Sequence, residues 1–264
     1  MIAVALVKYE DKMNYFITGG TTGIGFELVK LYLHRGHRVG ICGRDLSKLP
    51  KGFWEQHQKV LWVYQLDVSD RGALIEAVRD FTERAQGLDV VIANAGRSVG
   101  SKSNIPDFQA AKEILETNVL GVLYSFEAAM QHFVSKKSGH LVAIASVAGF
   151  VGLPGAGAYS ASKAAVVRLC ESWSIDLKSL NIPVSCICPG FIDTPMTQQN
   201  THSMPFLMSG EKGANIIAQA IDSRRALYLF PLRMNLLITF LSLIPRFAYR
   251  WLMGLQTFNY SKQS

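Results

Sequence analysis

Along almost the whole chain, short apolar runs alternate with stretches whose apolar positions recur every three or four residues. The runs Tyr15–Thr18, Arg38–Cys42, Val60–Leu66, Val90–Ala93, Leu141–Ala145, Val184–Cys188 and Leu227–Phe230 are too short for helices, and several are apolar at consecutive positions, as strands buried on both faces require. Between them, helical periodicity covers Phe26–Arg35, closed by Gly36, then Ala73–Arg84, Ala110–Val134, Ser160–Leu180 and Glu211–Ile221, with Ser209 placed to cap the last. This β-α alternation predicts an α/β fold, a doubly wound parallel sheet of seven strands with helices on both faces. No repeat, low-complexity tract or long linker interrupts it. One domain is therefore expected over residues 14–230, with a helical extension over 231–264 and a leader over 1–13 outside the core. The apolar start Met1 to Val7 lacks the basic flank and small-residue cleavage site of a secretory signal.

Composition narrows the class. A chain of 264 residues, 49% hydrophobic and 18% charged, can bury a core without disulfides or metals and is too apolar for disorder. No apolar run reaches the length of about 18 residues, free of charge or proline, that a clear membrane-spanning helix needs. The net charge of +7 comes from 27 Lys and Arg against 20 Asp and Glu, but beyond Asp222 there is no acidic residue and there are six basic ones: Arg224, Arg225, Arg233, Arg246, Arg250 and Lys262. The body is thus nearly neutral, which argues against a nucleic-acid surface laid over the domain. Cys42, Cys170, Cys186 and Cys188 show no Cys-x-x-Cys spacing and are read as small core residues in a reducing, cytoplasmic compartment. The six histidines have no metal-ligand spacing, so no metal is expected.

In parallel sheets ligands sit beyond the carboxyl ends of the strands. After the first strand comes Thr18-Gly19-Gly20-Thr21-Thr22-Gly23-Ile24-Gly25, which leads into a helix. Glycines there let the backbone approach a ligand, and a helix start offers free N–H groups and a positive dipole end to a pyrophosphate, although an ordinary structural turn would read the same way. The second strand runs into Gly43-Arg44-Asp45. An acid directly after that strand would bind the ribose hydroxyl of NAD, whereas Arg44 suits the 2′-phosphate of NADP; alternatively Arg44 is a solvated loop residue and Asp45 only caps the next helix. Ser146 follows the fifth strand, and Tyr159 and Lys163 stand four apart, on one helical face. A cation beside a phenol lowers its pKa by roughly 1–3 units, and a nearby serine hydroxyl could hold a substrate oxygen in line with it. Taken singly, such a Tyr-x-x-x-Lys pair is more often a surface pair.

These motifs, in this order and spacing from Asn14 to Phe230, resemble the classical short-chain dehydrogenases/reductases. The resemblance implies a Rossmann-like fold and hydride transfer between nicotinamide and a carbonyl or secondary alcohol carbon. It implies that Gly19, Thr21, Thr22, Gly23, Ile24 and Gly25 bind the pyrophosphate, that Asp67 and Val68 line the adenine pocket, and that Asn94-Ala95-Gly96 match the motif after the fourth strand, with Ala93 where a preceding asparagine is common. Pro189, Gly190, Ile192 and Thr194 match the segment that holds the nicotinamide carboxamide, and Asn118, Ser146, Tyr159 and Lys163 match the catalytic tetrad. Tyr159 is then the acid/base, Lys163 bonds the nicotinamide ribose and lowers the phenol pKa, Ser146 orients the substrate oxygen and Asn118 supports a water relay. Thr22 stands where relatives that use NADP often carry a basic residue, which leaves Arg44, helped by Lys48, as the argument for NADP over NAD. By periodicity alone Asn118 would be a solvated helix position.

After the last strand, Pro231 introduces Leu232–Ile244, Pro245 interrupts, and Arg246–Leu255 follows. On a helical wheel the second piece sets Arg246 and Arg250 apart from Phe247, Trp251, Leu252 and Leu255, the pattern of an interfacial helix; the same stripe would also suit packing over the cleft or against a second subunit. With the soft apolar residues Met196, Met204, Phe206, Leu207 and Met208 between Phe191 and Gly213, the tail suggests a lipophilic substrate and a peripheral membrane reductase, assembled as a homodimer or homotetramer. The competing class is a catalytically idle nucleotide sensor or scaffold on the same fold, acting through its tail.

Overall fold

The computed structural model describes residues 12–98, 105–199 and 203–254. The expected leader up to residue 11, together with Leu255 and Lys262, lies outside the described residues. Seven strands form one sheet in which every pairing is parallel: β1 (Asn14–Thr18), β2 (Arg38–Gly43), β3 (Leu61–Gln65), β4 (Val90–Ala93), β5 (His140–Ile144), β6 (Val184–Pro189) and β7 (Leu227–Phe230). Their order is β3-β2-β1-β4-β5-β6-β7, so the winding direction reverses between β1 and β4. Crevices beyond the carboxyl ends at such a reversal are where ligands bind in these sheets.

The helices α1 (Gly23–His34), α2 (Phe53–His57), α3 (Arg71–Arg84), α4 (Phe108–Leu115), α5 (Gly121–Lys136), α6 (Gly157–Asp176) and α7 (Gly210–Asp222) alternate with the strands, and α8 (Leu232–Leu243) and α9 (Arg246–Gly254) follow β7. Strand side chains alternate between two cores. Tyr15, Ile17, Val90, Ile92 and Ile187 face α1 and α7, while Phe16, Val91, Leu141, Cys186 and Cys188 face α3, α5 and α6. This two-sided burial is the reason the inner strands read as continuous apolar runs. All four cysteines are buried free thiols, Cys186 and Cys188 lying 3.8 Å apart on one face of β6.

Element ends differ from expectation where polar contacts decide them. Asp70 and Asp107 accept N–H bonds from Ala73 and Ala110 and start α3 and α4, and Ser209 accepts from Lys212 N–H as its position predicted. The long pattern over Ala110–Val134 is two helices joined by a π-helical stretch, Glu116–Leu120. Met13 N–H donates to His37 Nδ1 and its carbonyl accepts from Arg38 N–H, so the residue before β1 already joins the sheet.

The tail folds back on the body. Met234 and Ile238 of α8 and Tyr249 and Met253 of α9 pack with Val147 and Val151, which follow Ser146. Tyr249 OH donates to the Gly152 carbonyl at 2.6 Å. On α9 the buried stripe is Tyr249 and Met253, which the wheel reading did not single out, and the Phe247 and Trp251 side chains point to solvent. No single described helix is long and apolar enough to cross a membrane, and α8 and α9 meet at a bend of 119°.

Candidate active site

An open cleft with a cavity volume of about 240 Å³ runs along the carboxyl ends of the strands from Arg44 to Tyr159. At its centre, one threonine and one asparagine fix the glycine turn across the strand-order reversal. Thr18 Oγ1 accepts from the N–H groups of Asn94 and Ala95, both at 3.1 Å, and Asn94 Nδ2 donates to the carbonyls of Thr18 at 3.0 Å and Gly19 at 3.2 Å. Gly19 has φ +65°, and a Cβ there would lie 2.8 Å from Ala95 Cα. A Cβ on Gly25 would lie 2.3 Å from the Gly19 carbonyl oxygen. Gly25 is therefore a packing requirement of the turn, and unlike Gly19, Thr21, Thr22, Gly23 and Ile24 it does not line the cleft.

The sequence pattern placed the first helix at Phe26; it begins at Gly23, so the glycines form its first turn. Thr22 is extended at the N-cap and its side chain makes no capping bond. The first amides of α1 are left open toward the cleft at the positive end of the helix dipole, an arrangement that fits a pyrophosphate.

At one end of the cleft stand Arg44, Lys48, Asp67 and Val68. Arg44 Nη1 is 3.7 Å from Asp67 Oδ2, the arginine side chain largely exposed and the aspartate partly buried. Asp45 accepts from Ser47 N–H at 3.0 Å and Ser47 Oγ at 2.6 Å, bonds that start a short 3₁₀ turn and hold its carboxyl below the usual carboxylate range. Asp45 is thus engaged locally, while the Arg44 guanidinium is held only by a loose exposed pair. Partial burial pushes the Asp67 carboxyl up, but two bonds from Ser69 and the cations Arg44 and Arg97 outweigh it and keep the pKa low.

Ser146, Tyr159 and Lys163 line the other end, beside Pro189, Gly190, Ile192 and Thr194. β5 stops at Ile144, two residues before Ser146, which caps the 3₁₀ turn Val147–Phe150 by accepting from Ala148 N–H at 3.2 Å. Lys163 Nζ is buried, lies 5.8 Å from the Tyr159 ring centre and donates to the Ile144 carbonyl at 2.8 Å. Burial pulls its pKa down to about 8, against the opposing pull of Cys186 and Cys188. The Tyr159 phenol is pushed above its ordinary value by burial; its bond with Ser146 works in the other direction, and Cys188 adds to the rise. The expected lowering by Lys163 is not among the influences on the phenol, and desolvation sets the direction of its shift.

Asn118, buried in the π-helical stretch, does not reach the cleft wall. Its Oδ1 accepts from Arg97 N–H at 2.8 Å, and its Nδ2 donates to the Arg97 carbonyl at 3.0 Å and to Ser162 Oγ at 2.9 Å. Ser162 Oγ donates to the Tyr159 carbonyl at 2.7 Å. The asparagine thereby ties the segment after Gly96 to the helix turn that carries Tyr159 and Lys163.

Sequence reasoning missed several lining residues: Gly43, Leu66, Thr117, Ile144, Ala145, Pro195 and Thr197. Thr197 carried a signal, since it stands three residues after Thr194; its hydroxyl donates to the Ile192 carbonyl at 2.6 Å and accepts from Thr194 N–H at 2.9 Å. Among the described histidines, His57 bonds to the Phe53 carbonyl, His132 accepts from Leu88 N–H, and His140 is buried against Ser185 Oγ at 2.8 Å.

Comparison with known proteins agrees with this geometry. The family model described as short chain dehydrogenase matches residues 14–205. An uncharacterized oxidoreductase from Myxococcus xanthus is 36% identical over 227 residues, covering 83% of this chain and 89% of its own. A 2-(R)-hydroxypropyl-CoM dehydrogenase from Xanthobacter autotrophicus is 30% identical over 188 residues, covering 69% of this chain and 75% of its own. Among solved structures, a short chain dehydrogenase from Burkholderia cenocepacia in complex with NADP superposes with a TM-score of 0.78 at 22% identity, covering 92% of this chain and 97% of its own.

Proposed function

This chain belongs to the short-chain dehydrogenase family and is an oxidoreductase acting between CH–OH and C=O with a nicotinamide dinucleotide; we propose that it uses NADP(H), with Tyr159 as acid/base, on a lipophilic carbonyl or secondary alcohol. The observation that carries this reading is the convergence of Ser146, Tyr159 and Lys163 at the far end of a cleft that begins at the open N-terminus of α1. The nicotinamide, when bound, supplies or accepts the hydride. In the reducing direction the Tyr159 phenol gives its proton to the substrate oxygen, which the Ser146 hydroxyl holds from the side. In the reverse direction the same oxygen returns the proton.

Lys163 is the residue that would hold the nicotinamide ribose, and its charge favours the phenolate that proton release creates. Asn118 is a positioning residue, acting through Ser162 and the backbone of Arg97. Arg44, exposed at the adenosine end beside Lys48, supports a 2′-phosphate, and the engagement of Asp45 by Ser47 weighs against that carboxylate as a ribose acceptor. Exposed Met196, Phe206 and Leu207 support a lipophilic substrate.

The reading takes residues 14–230 as the catalytic unit, with the tail packed on the loop after Ser146, and a homodimer or homotetramer as the assembly. The buried free thiols support a reducing compartment such as the cytoplasm. A panel of aldehydes, ketones and secondary alcohols with both cofactors tests it. Turnover should be found with NADP(H) and fall about 10²–10⁴-fold in Tyr159→Phe with cofactor affinity retained. Tight cofactor binding with no turnover on any class would favour the sensor or scaffold reading instead.

A further inference from the structure

The helices of the tail have two apolar sides. The inner one is spent on the body: Met234, Ile238, Tyr249 and Met253 all enter one cluster with Val147 and Val151. The outer one is bare. Leu236 and Phe240 of α8 are 63% and 62% exposed, and Phe247 and Trp251 of α9 are 78% and 72% exposed. Because both helices turn their inner sides to the same cluster, both outer sides point away from the body. Single exposed apolar residues need no explanation, but a set of large ones on adjoining helices marks an interaction surface.

The charges on this surface choose the partner. Arg233, Arg246 and Arg250 are exposed on the same two helices, and neither helix carries an acidic residue. Arg233 lies over the Phe206 ring at 5.9 Å, which joins the start of α8 to the segment before α7, where Phe206 and Leu207 are also exposed. A two-fold contact with a second copy would bring this patch against itself and leave its three arginines with no carboxylate in the patch to pair them. A bilayer containing anionic phospholipid satisfies both features: aromatic and leucine side chains enter the interface, and guanidinium groups meet phosphates at headgroup depth. The bend of 119° keeps α8 and α9 from forming one straight spanning rod.

We propose that the outer sides of α8 and α9, with the Phe206–Leu207 segment, form a docking surface for an anionic bilayer. The inference goes beyond the hydride chemistry and stands or falls without it, since its assay involves no turnover. Full-length protein is mixed at low salt with vesicles of phosphatidylcholine and phosphatidylglycerol, or of phosphatidylcholine alone, and floated on a density gradient.

Binding to the anionic vesicles is expected, and it should fall at least about tenfold with phosphatidylcholine alone, in Phe247→Ser/Trp251→Ser and in Arg246→Ser/Arg250→Ser. Leu236→Ser/Phe240→Ser provides an independent pair on α8. Unchanged melting temperature and cofactor affinity identify the variants that remain folded. Failure of the wild type to float, or flotation of the folded variants at the wild-type level, overturns the proposal. So does a solution dimer that the same substitutions dissociate, because the surface would then be covered by a second copy.

Discussion

Lys163 lets the electrostatics of the reaction end be tested through folding. Its ammonium is buried, bonded to the Ile144 carbonyl, and burial pulls its pKa from 10.5 to about 8. A lysine whose folded pKa lies below its unfolded value opposes folding. The penalty is complete below the folded value and fades as pH rises through it toward the unfolded value. At about 1.36 kcal/mol per pKa unit, the shift corresponds to a penalty of about 3 kcal/mol near pH 7 and about 1.4 kcal/mol near pH 9.5.

Replacing the lysine by methionine removes the titration and keeps the length of the side chain. Urea unfolding of cofactor-free wild type and Lys163→Met should therefore show their stability difference changing by about 2 kcal/mol between these two pH values, in favour of the wild type at the higher pH. Tyr159, Cys186 and Cys188, the titratable neighbours, are present in both proteins. A difference that stays constant with pH would mean that water reaches the ammonium, and the desolvation argument for this site would fail.

Three further outcomes are expected. Arg44→Ala should raise the Kd for NADP(H) about tenfold or more and that for NAD(H) little, measured by fluorescence titration; equal losses would remove the 2′-phosphate role. Gly25→Ala should lose about 1–3 kcal/mol in a chemical melt, because its Cβ would lie 2.3 Å from the Gly19 carbonyl oxygen and neither backbone can give way. His140 is held down to about 4, first by burial and then by Arg224, so folding should weaken as pH falls below 6.5, by about 2 kcal/mol between pH 7.5 and pH 5; His140→Gln should remove that part of the acid sensitivity.

The strands were legible because the sheet buries them on both faces, and that leaves consecutive apolar residues in the sequence. The glycine turn, Ser146 and the Tyr159/Lys163 pair were legible because they follow strand ends or share a helical face, relations that spacing alone carries. Asn118 was not, since its partners Arg97 and Ser162 are brought to it by a π-helical stretch that interrupts an otherwise regular pattern. The start of α1 was set too late because glycine is a poor helix former, yet here Gly23 and Gly25 are required by close backbone approach. In the tail, periodicity could identify apolar positions on α9 but could not say which of them met the body, because packing and exposure leave the same letters in the sequence.

The Tyr249 hydroxyl bond to Gly152 gives the tail a second meaning. It fastens the last described helix to the loop that follows Ser146, so that loop is held by the part of the described chain farthest in sequence from the glycine turn. The Ser146 loop and the glycine turn are thereby steadied by separate stretches of chain. Substitutions on the inner sides of α8 and α9 should be felt first at the Ser146 loop, while the Thr18–Asn94 bonds that fix the glycine turn stay as they are.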